Sequence, residues 1–217
     1  MVTKSAVSAK SGELITKDSI TVTINGRKFK FSVGDGLGDI SPSETLLETL
    51  RTKLQMTGAK SSCQVGACGC CAVIVNGDAV AACMTLTIEM DGKNIVTVEG
   101  LEDATKGLDP IQQAFIDEYA FQCGYCTPGI IMVAKALFNK NEHPNPEQIR
   151  EALAGNYCRC ISHYTVLRAL NKVAGNTDAE LSTYVRANDL VEDPIPVAEE
   201  VYHQPYAYGT ASKHSLD

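Results

Sequence analysis

Cys63-Gln64-Val65-Gly66-Ala67-Cys68-Gly69-Cys70-Cys71 is the stretch on which the reading of this 217-residue chain turns. Cys63, Cys68 and Cys71 reproduce the plant-type C-x4-C-x2-C spacing of 2Fe-2S loops, with Cys83 as the distant fourth member. Four thiolates must converge on two irons while the loop keeps its backbone N–H groups turned toward the sulfurs. Gly66 and Gly69 permit the left-handed turns that such a loop requires. The competing readings are a zinc knot or a redox dithiol, because Cys68 and Cys71 alone make a C-x-x-C. Zinc sites usually pair two C-x-x-C units, whereas here a longer step precedes one unit and a single remote cysteine closes the set. Cys70 lies between two candidate ligands and cannot reach the same irons as both neighbours, so it reads as a bystander thiol.

Farther along stand Cys123-Gly124-Tyr125-Cys126 and Cys158-Arg159-Cys160, a second set of four. The first two cysteines are expected to end one helix and begin another, with the C-x-C pair just after a third. That would bring all four to one end of a helical group. A four-cysteine zinc site is again the alternative. In Thr127-Pro128-Gly129 the proline would fix a first helical turn beside the ligands. Gly129 would admit another surface at close range, which suggests a partner.

Around these motifs the chain falls into two textures. From Ile20 the residues Val22 and Ile24 alternate with threonines, Asn25-Gly26 intervenes, and Phe29, Phe31 and Val33 resume, a hairpin signature. Ser43 is a plausible N-cap for an amphipathic helix bearing Leu46, Leu47, Leu50 and Leu54. Ala72 to Val75, Asn76-Gly77 and Ala79 to Ala82 predict a second hairpin, and Ile95 to Val98 a further strand. After Gly107 the period becomes helical. Pro110 opens a helix with Ile111, Ala114, Phe115 and Phe121 on its apolar face; Pro128 opens one with Ile131, Ala134 and Phe138 inward; Asn145-Pro146 starts a third through Ile149 and Leu153; and Ser162 caps a fourth with Val166, Leu170 and Val173. These readings divide the chain into a loose arm over 1–19, a small sheet domain over 20–100, a helical domain over 101–175 and an extended tail over 176–217. In the tail a possible helix over Asp178–Asn188 gives way to Pro194, Pro196 and Pro205 with Tyr202, Tyr206 and Tyr208.

Composition narrows the function classes. A net charge of -7 lacks the basic stripe that polyanion binding needs, which argues against nucleic acid. Hydrophobic residues make up 44%, enough for a packed core, yet no run approaches the roughly 18 apolar residues of a membrane span. Met1 to Ile20 has no apolar stretch of the secretory kind, so a cytoplasmic protein is expected. Nine cysteines in such a chain point to metal rather than disulfides. No serine or histidine constellation supports a hydrolase, and no phosphate-cradling glycine loop is followed by lysine.

Both cysteine motifs together resemble the small subunit of the xanthine oxidase family, the molybdenum hydroxylases, which includes carbon monoxide dehydrogenases and aldehyde oxidoreductases. The resemblance runs from about Ile20 to Gly175 and rests on Thr45-Leu46-Leu47-Glu48-Thr49-Leu50-Arg51, Gly66-Ala67-Cys68-Gly69, Gln122-Cys123-Gly124-Tyr125-Cys126-Thr127-Pro128-Gly129 and Gly155-Asn156-Tyr157-Cys158-Arg159-Cys160. It implies an α+β chain: an N-terminal β-grasp, plant-type 2Fe-2S ferredoxin-like domain, then a four-helix-bundle 2Fe-2S domain. It implies a large partner subunit that holds the molybdopterin cofactor and does the chemistry, usually a medium FAD subunit, and possible pairing of such heterotrimers. Electrons would leave molybdenum through the Cys123, Cys126, Cys158 and Cys160 cluster, cross to the Cys63, Cys68, Cys71 and Cys83 cluster, and reach FAD or an external acceptor. Gln122 and Cys160 are the residues that the resemblance places toward the pterin.

The sequence departs from that pattern in places. Ser62 replaces a common glycine, Cys70-Cys71-Ala72 stands for alanine, cysteine and threonine, and Ile161-Ser162-His163 stands for threonine, glycine and tyrosine. None of these replaces a ligand. His163 near Cys160 raises proton-coupled transfer, although a single histidine is more often packed or solvated. The tail, longer than is typical of the family, would wrap a partner or remain disordered. The alternatives from other classes are a freestanding two-cluster ferredoxin and a zinc-bearing interaction module.

Overall fold

In the computed structural model, which describes residues 18–102, 105, 107–160 and 163–177, both Asn-Gly pairs turn hairpins as the alternation predicts. Strands β1 (Ser19–Ile24) and β2 (Arg27–Ser32) pair antiparallel, with Ile20 opposite Phe31 and Val22 opposite Phe29. Asn25 and Gly26 have φ of 49° and 77°. Asn76 and Gly77, between β3 (Ala72–Val75) and β4 (Asp78–Ala81), have 50° and 97°. Such doubly left-handed turns match the twist of the flanking strands, and Asn-Gly adopts them at least cost. Strand β5 (Asn94–Val96) stops short of the expected Val98, where a 3-10 turn over Val98–Gly100 takes over. It runs parallel to β1 and antiparallel to β3, so the five-stranded sheet has the order β2-β1-β5-β3-β4.

The first helix starts at Thr45 rather than at Ser43. Thr45 accepts from the Glu48 N–H, and the Glu48 carboxylate accepts from the Thr45 N–H, a reciprocal pair that outcompetes Ser43, whose hydroxyl meets that of Ser41. Helix α1 (Leu46–Glu48) then widens into a π turn over Thr49–Lys53, with the Leu54 N–H reaching the Thr49 carbonyl. Leu46, Leu47 and Leu50 are buried against Ile20, Val22, Ile24 and Ile95, the core on one face of the sheet.

Helices α2 (Pro110–Asp117), α3 (Thr127–Lys140), α4 (Pro146–Leu153) and α5 (His163–Ala174) follow. Asp109 and Asn145 cap α2 and α4 through reciprocal bonds with Gln112 and Gln148. Helix α2 ends before Phe121, which lies beyond its apolar face and is 40% exposed; Ile111, Ala114 and Phe115 are buried as expected. Helix α3 is apolar on two sides. Ile130, Ile131 and Ala134 join Ile111, Phe115, Ile149 and Leu170 in a helical core, while Met132 and Ala136 pack on Ala72 and Ile74 of β3. Because Val73 and Val75 point into the opposite core, β3 is buried throughout, and it anchors the helical half to the sheet. Glu118 ties α2 to α5 through Arg168 at 2.6 Å and Lys172 at 3.0 Å.

Of the arm expected over 1–19, Ser19 already belongs to β1 and residues 1–17 lie outside the described residues, as do Ser162 as a cap, the helix expected over 178–188 and the tail that follows. Among the described residues no helix is long and apolar enough to cross a membrane.

Candidate metal centres

The loop before Cys63 is fixed from below by Arg51, whose guanidinium donates to the Thr57 carbonyl at 3.1 Å and the Ala59 carbonyl at 2.8 Å. The Lys60 N–H closes the loop on the Cys70 carbonyl at 3.2 Å. Gly66 and Gly69 take φ of 73° and 69°, the left-handed turns expected of them. The Val65 N–H points at Cys63 Sγ, 3.5 Å away. That donor, followed by the Cys68 thiol, lowers the Cys63 pKa to about 6. Cys83 arrives on the short turn after β4 and meets Cys71, both buried; burial pushes the Cys71 thiol up to about 11. The four cysteines thus meet as two couples, Cys63 with Cys68 and Cys71 with Cys83.

The second set forms couples too. Cys160 Sγ lies 3.5 Å from Cys123 Sγ, and this contact raises the Cys160 pKa. Cys126, the N-cap of α3, is raised to about 12 by burial and then by its hydrogen bond with Cys158. The expectation that Cys123 ends a helix is corrected: α2 stops at Asp117, and Cys123 sits in the loop between α2 and α3. Of this set, the outer couple Cys123 and Cys160 is exposed, while Cys126 is buried and Cys158 half-buried.

Among the described residues no three His, Cys, Asp or Glu side chains converge on one point as a single-ion site requires. Couples facing couples are instead the donor arrangement of a two-iron cluster, in which each iron takes two protein thiolates. The residues present therefore fit a 2Fe-2S group at each place. Thiolates are the ligand form, so cluster binding at Cys71 and Cys126 must displace protons.

A seam joins the two sets. The Tyr157 N–H donates to the Cys68 carbonyl at 2.9 Å, and the buried Asn156 side chain donates to the Gly69 carbonyl at 3.3 Å. The Tyr125 hydroxyl donates to the Ser61 carbonyl. A Cβ on Gly129 would sit 2.8 Å from Cys70 Cα and closer still to the Gly69 carbonyl oxygen. The close surface that Gly129 admits is thus the chain's own cysteine loop, not a partner. Asn156, Tyr157 and Tyr125 had no assigned role in the sequence, because their partners are backbone carbonyls that leave no side-chain signal. Cys70 is buried in the helical core, with its thiol beside Cys68, and burial followed by its hydrogen bond with Cys68 pushes its pKa up to about 12. Gln122 and His163 are exposed.

Comparison with known proteins agrees with this geometry. A 2Fe-2S iron-sulfur cluster binding domain matches residues 40–115, and a 2Fe-2S binding domain matches residues 97–171. A probable xanthine dehydrogenase subunit of Bacillus subtilis is 38% identical over 159 residues, which cover 73% of this chain and 87% of the relative. The nicotine 6-hydroxylase small subunit of Paenarthrobacter nicotinovorans is 40% identical over 156 residues, covering 72% and 89%. Among solved structures, quinoline 2-oxidoreductase of Pseudomonas putida 86 superposes with a TM-score of 0.65 at 31% identity, covering 79% of this chain and 98% of that one. Two cluster-binding matches in series mean that the chain carries two 2Fe-2S clusters. The chain belongs to the iron-sulfur small subunits of the molybdenum hydroxylases, and its role is electron transfer within an oxidoreductase complex.

Proposed function

We propose that Cys63, Cys68, Cys71 and Cys83 hold one cluster, that Cys123, Cys126, Cys158 and Cys160 hold the other, and that the chain links a molybdopterin-bearing large subunit to an electron acceptor. When bound, each 2Fe-2S cluster supplies a one-electron redox couple whose potential answers to burial and to hydrogen bonds on its sulfurs. The observation that carries the proposal is the Tyr157 N–H bond to the Cys68 carbonyl. It connects the residue beside Cys158, in the inner couple of one set, to a cysteine of the other by a single 2.9 Å contact.

Exposure supports a direction for the route. Cys123 and Cys160 face outward beside Gln122, Phe121 and Tyr125, the last two 40% and 44% exposed. This end suits the large subunit, with Gln122 and Cys160 toward the pterin. Val65 and Met84 are 67% and 63% exposed on the Cys63 and Cys83 side, which suits a second partner such as a medium FAD subunit. Residues 20–100 form the β-grasp domain in this reading, 101–175 the four-helix bundle, and 176–217 a partner-wrapping tail. A cytoplasmic dimer of heterotrimers is the assembly that we infer.

The relatives are named for different substrates, xanthine, nicotine and quinoline, at comparable identity. Substrate choice accordingly belongs to the large subunit. Single Cys→Ser replacements test the ligand sets: Cys83→Ser is expected to abolish the signal of one cluster and Cys158→Ser that of the other. Retention of both signals in either variant would refute the assignment.

A further inference from the structure

We propose that the hydroxyl of Thr127 donates a hydrogen bond to the sulfur of the cluster held by Cys123, Cys126, Cys158 and Cys160, and thereby raises its reduction potential. The inference rests on the ligand assignment above. Thr127 Oγ1 is buried from water and has no hydrogen-bond partner among the described residues. A buried hydroxyl left unpaired is costly, and where one is found it marks a group that the polypeptide does not itself supply.

Threonine normally escapes this cost by local bonding. Thr52 and Thr85 donate to the carbonyls of Glu48 and Ala81, four residues earlier, at 2.7 and 3.1 Å. Thr49 meets the Thr87 hydroxyl at 2.7 Å. Thr127, the first residue of α3, makes no such bond. The start of α3 is unusual for the same reason. Helices α2 and α4 open on Asp109 and Asn145, whose side chains accept from the first turn, whereas α3 opens on Cys126, whose side chain makes no capping bond. What stands beside the first turn of α3 is a buried thiol that serves as a ligand in this reading. The positive end of a 14-residue helix and an unpaired hydroxyl both favour negative charge there. Thiolate and sulfide carry that charge, and reduction adds to it, so a donor at this place stabilises the reduced form.

The test uses the full chain in its assembly, with Thr127→Ser, Thr127→Ala and Thr127→Val. Iron content and an electron paramagnetic resonance titration against potential are read for both clusters. The expected result is a lower midpoint for the Cys123, Cys126, Cys158 and Cys160 cluster in T127A and T127V, with T127S close to wild type. The other cluster should be unmoved throughout. Ser and Ala differ by the oxygen alone, so that pair decides the matter even if T127V fails to assemble. Coincident midpoints for T127S and T127A would overturn the proposal. So would loss of iron from T127A with T127S fully loaded, since that is a scaffold role rather than a tuning one. A wild-type chain lacking the second signal would overturn the ligand assignment itself, an outcome distinct from both.

Discussion

Gly129 sets how closely the two cysteine sets approach. With the Cys70 backbone already in contact, a methyl group there must push the helix or the loop aside. Gly129→Ala is expected to cost about 1–3 kcal/mol, the usual range for overpacking. Chemical denaturation would measure this, and the bond from Tyr157 to the Cys68 carbonyl should loosen with it, slowing electron exchange between the clusters. Cys70→Ala is expected to leave iron equal to two clusters per chain, with stability lowered by about 1 kcal/mol for the small void left in the helical core. Iron analysis of the purified variant checks it, and loss of a cluster would show Cys70 to be a ligand. At this scale the sequence was legible where spacing encodes chemistry, as in C-x4-C-x2-C and C-x-C. It was illegible where a side chain serves a backbone carbonyl, as Asn156 does at Gly69, because nothing in the identity of Asn156 names its acceptor.

The elements are held by caps and by ion pairs, among them Lys135 with the α2 cap Asp109 and the pair of cations on Glu118. Asn145→Ala removes the acceptor for the Gln148 N–H and is expected to cost about 1 kcal/mol, read as a lower midpoint of denaturation. The hydrogen bond from Lys172 and then that from Arg168 hold the Glu118 carboxyl below its ordinary value of 4.5. A depressed folded-state pKa contributes stability above the unfolded value, and that contribution is lost as pH falls through the folded one. Glu118→Gln should therefore melt below wild type at neutral pH, and the gap should close on acidification below 4.5 and shrink with added salt. Thermal unfolding at several pH values measures both. The hairpins and helices were readable because Asn-Gly turns and Pro at a first helical position act locally. The start of α1 was not, since Ser43 and Thr45 are both good caps and only the reciprocal bond with Glu48 separates them. The π turn after it escaped as well, because Leu46, Leu47, Leu50 and Leu54 keep a spacing compatible with either kind of helix.

At the scale of the whole molecule, β3 and α3 make the sheet and the helices interdependent. Ala72 and Ile74 face Met132 and Ala136, while the cysteine loop that precedes β3 docks on the turn that precedes Cys158. Periodicity showed each face separately but not that they cover one another, since long-range pairing leaves no local trace. The tail carries its own prediction. Truncation should follow Thr177 rather than Gly175, because the Asn176 side chain donates to the Pro144 carbonyl at 2.9 Å and to Asn171 at 2.7 Å. The shortened chain is expected to keep both clusters yet to co-purify with less of its large subunit; unchanged assembly would reject the wrapping role.

We infer that this chain is a two-cluster relay between molybdenum and an acceptor. Electron paramagnetic resonance of the native assembly reduced with dithionite, with iron and molybdenum quantified on the same sample, tests it most directly. Two distinct 2Fe-2S signals, iron equal to two clusters per chain, and molybdenum in proportion are expected. A single signal, or zinc in place of iron, would contradict it, and two clusters without molybdenum would make the chain a freestanding carrier.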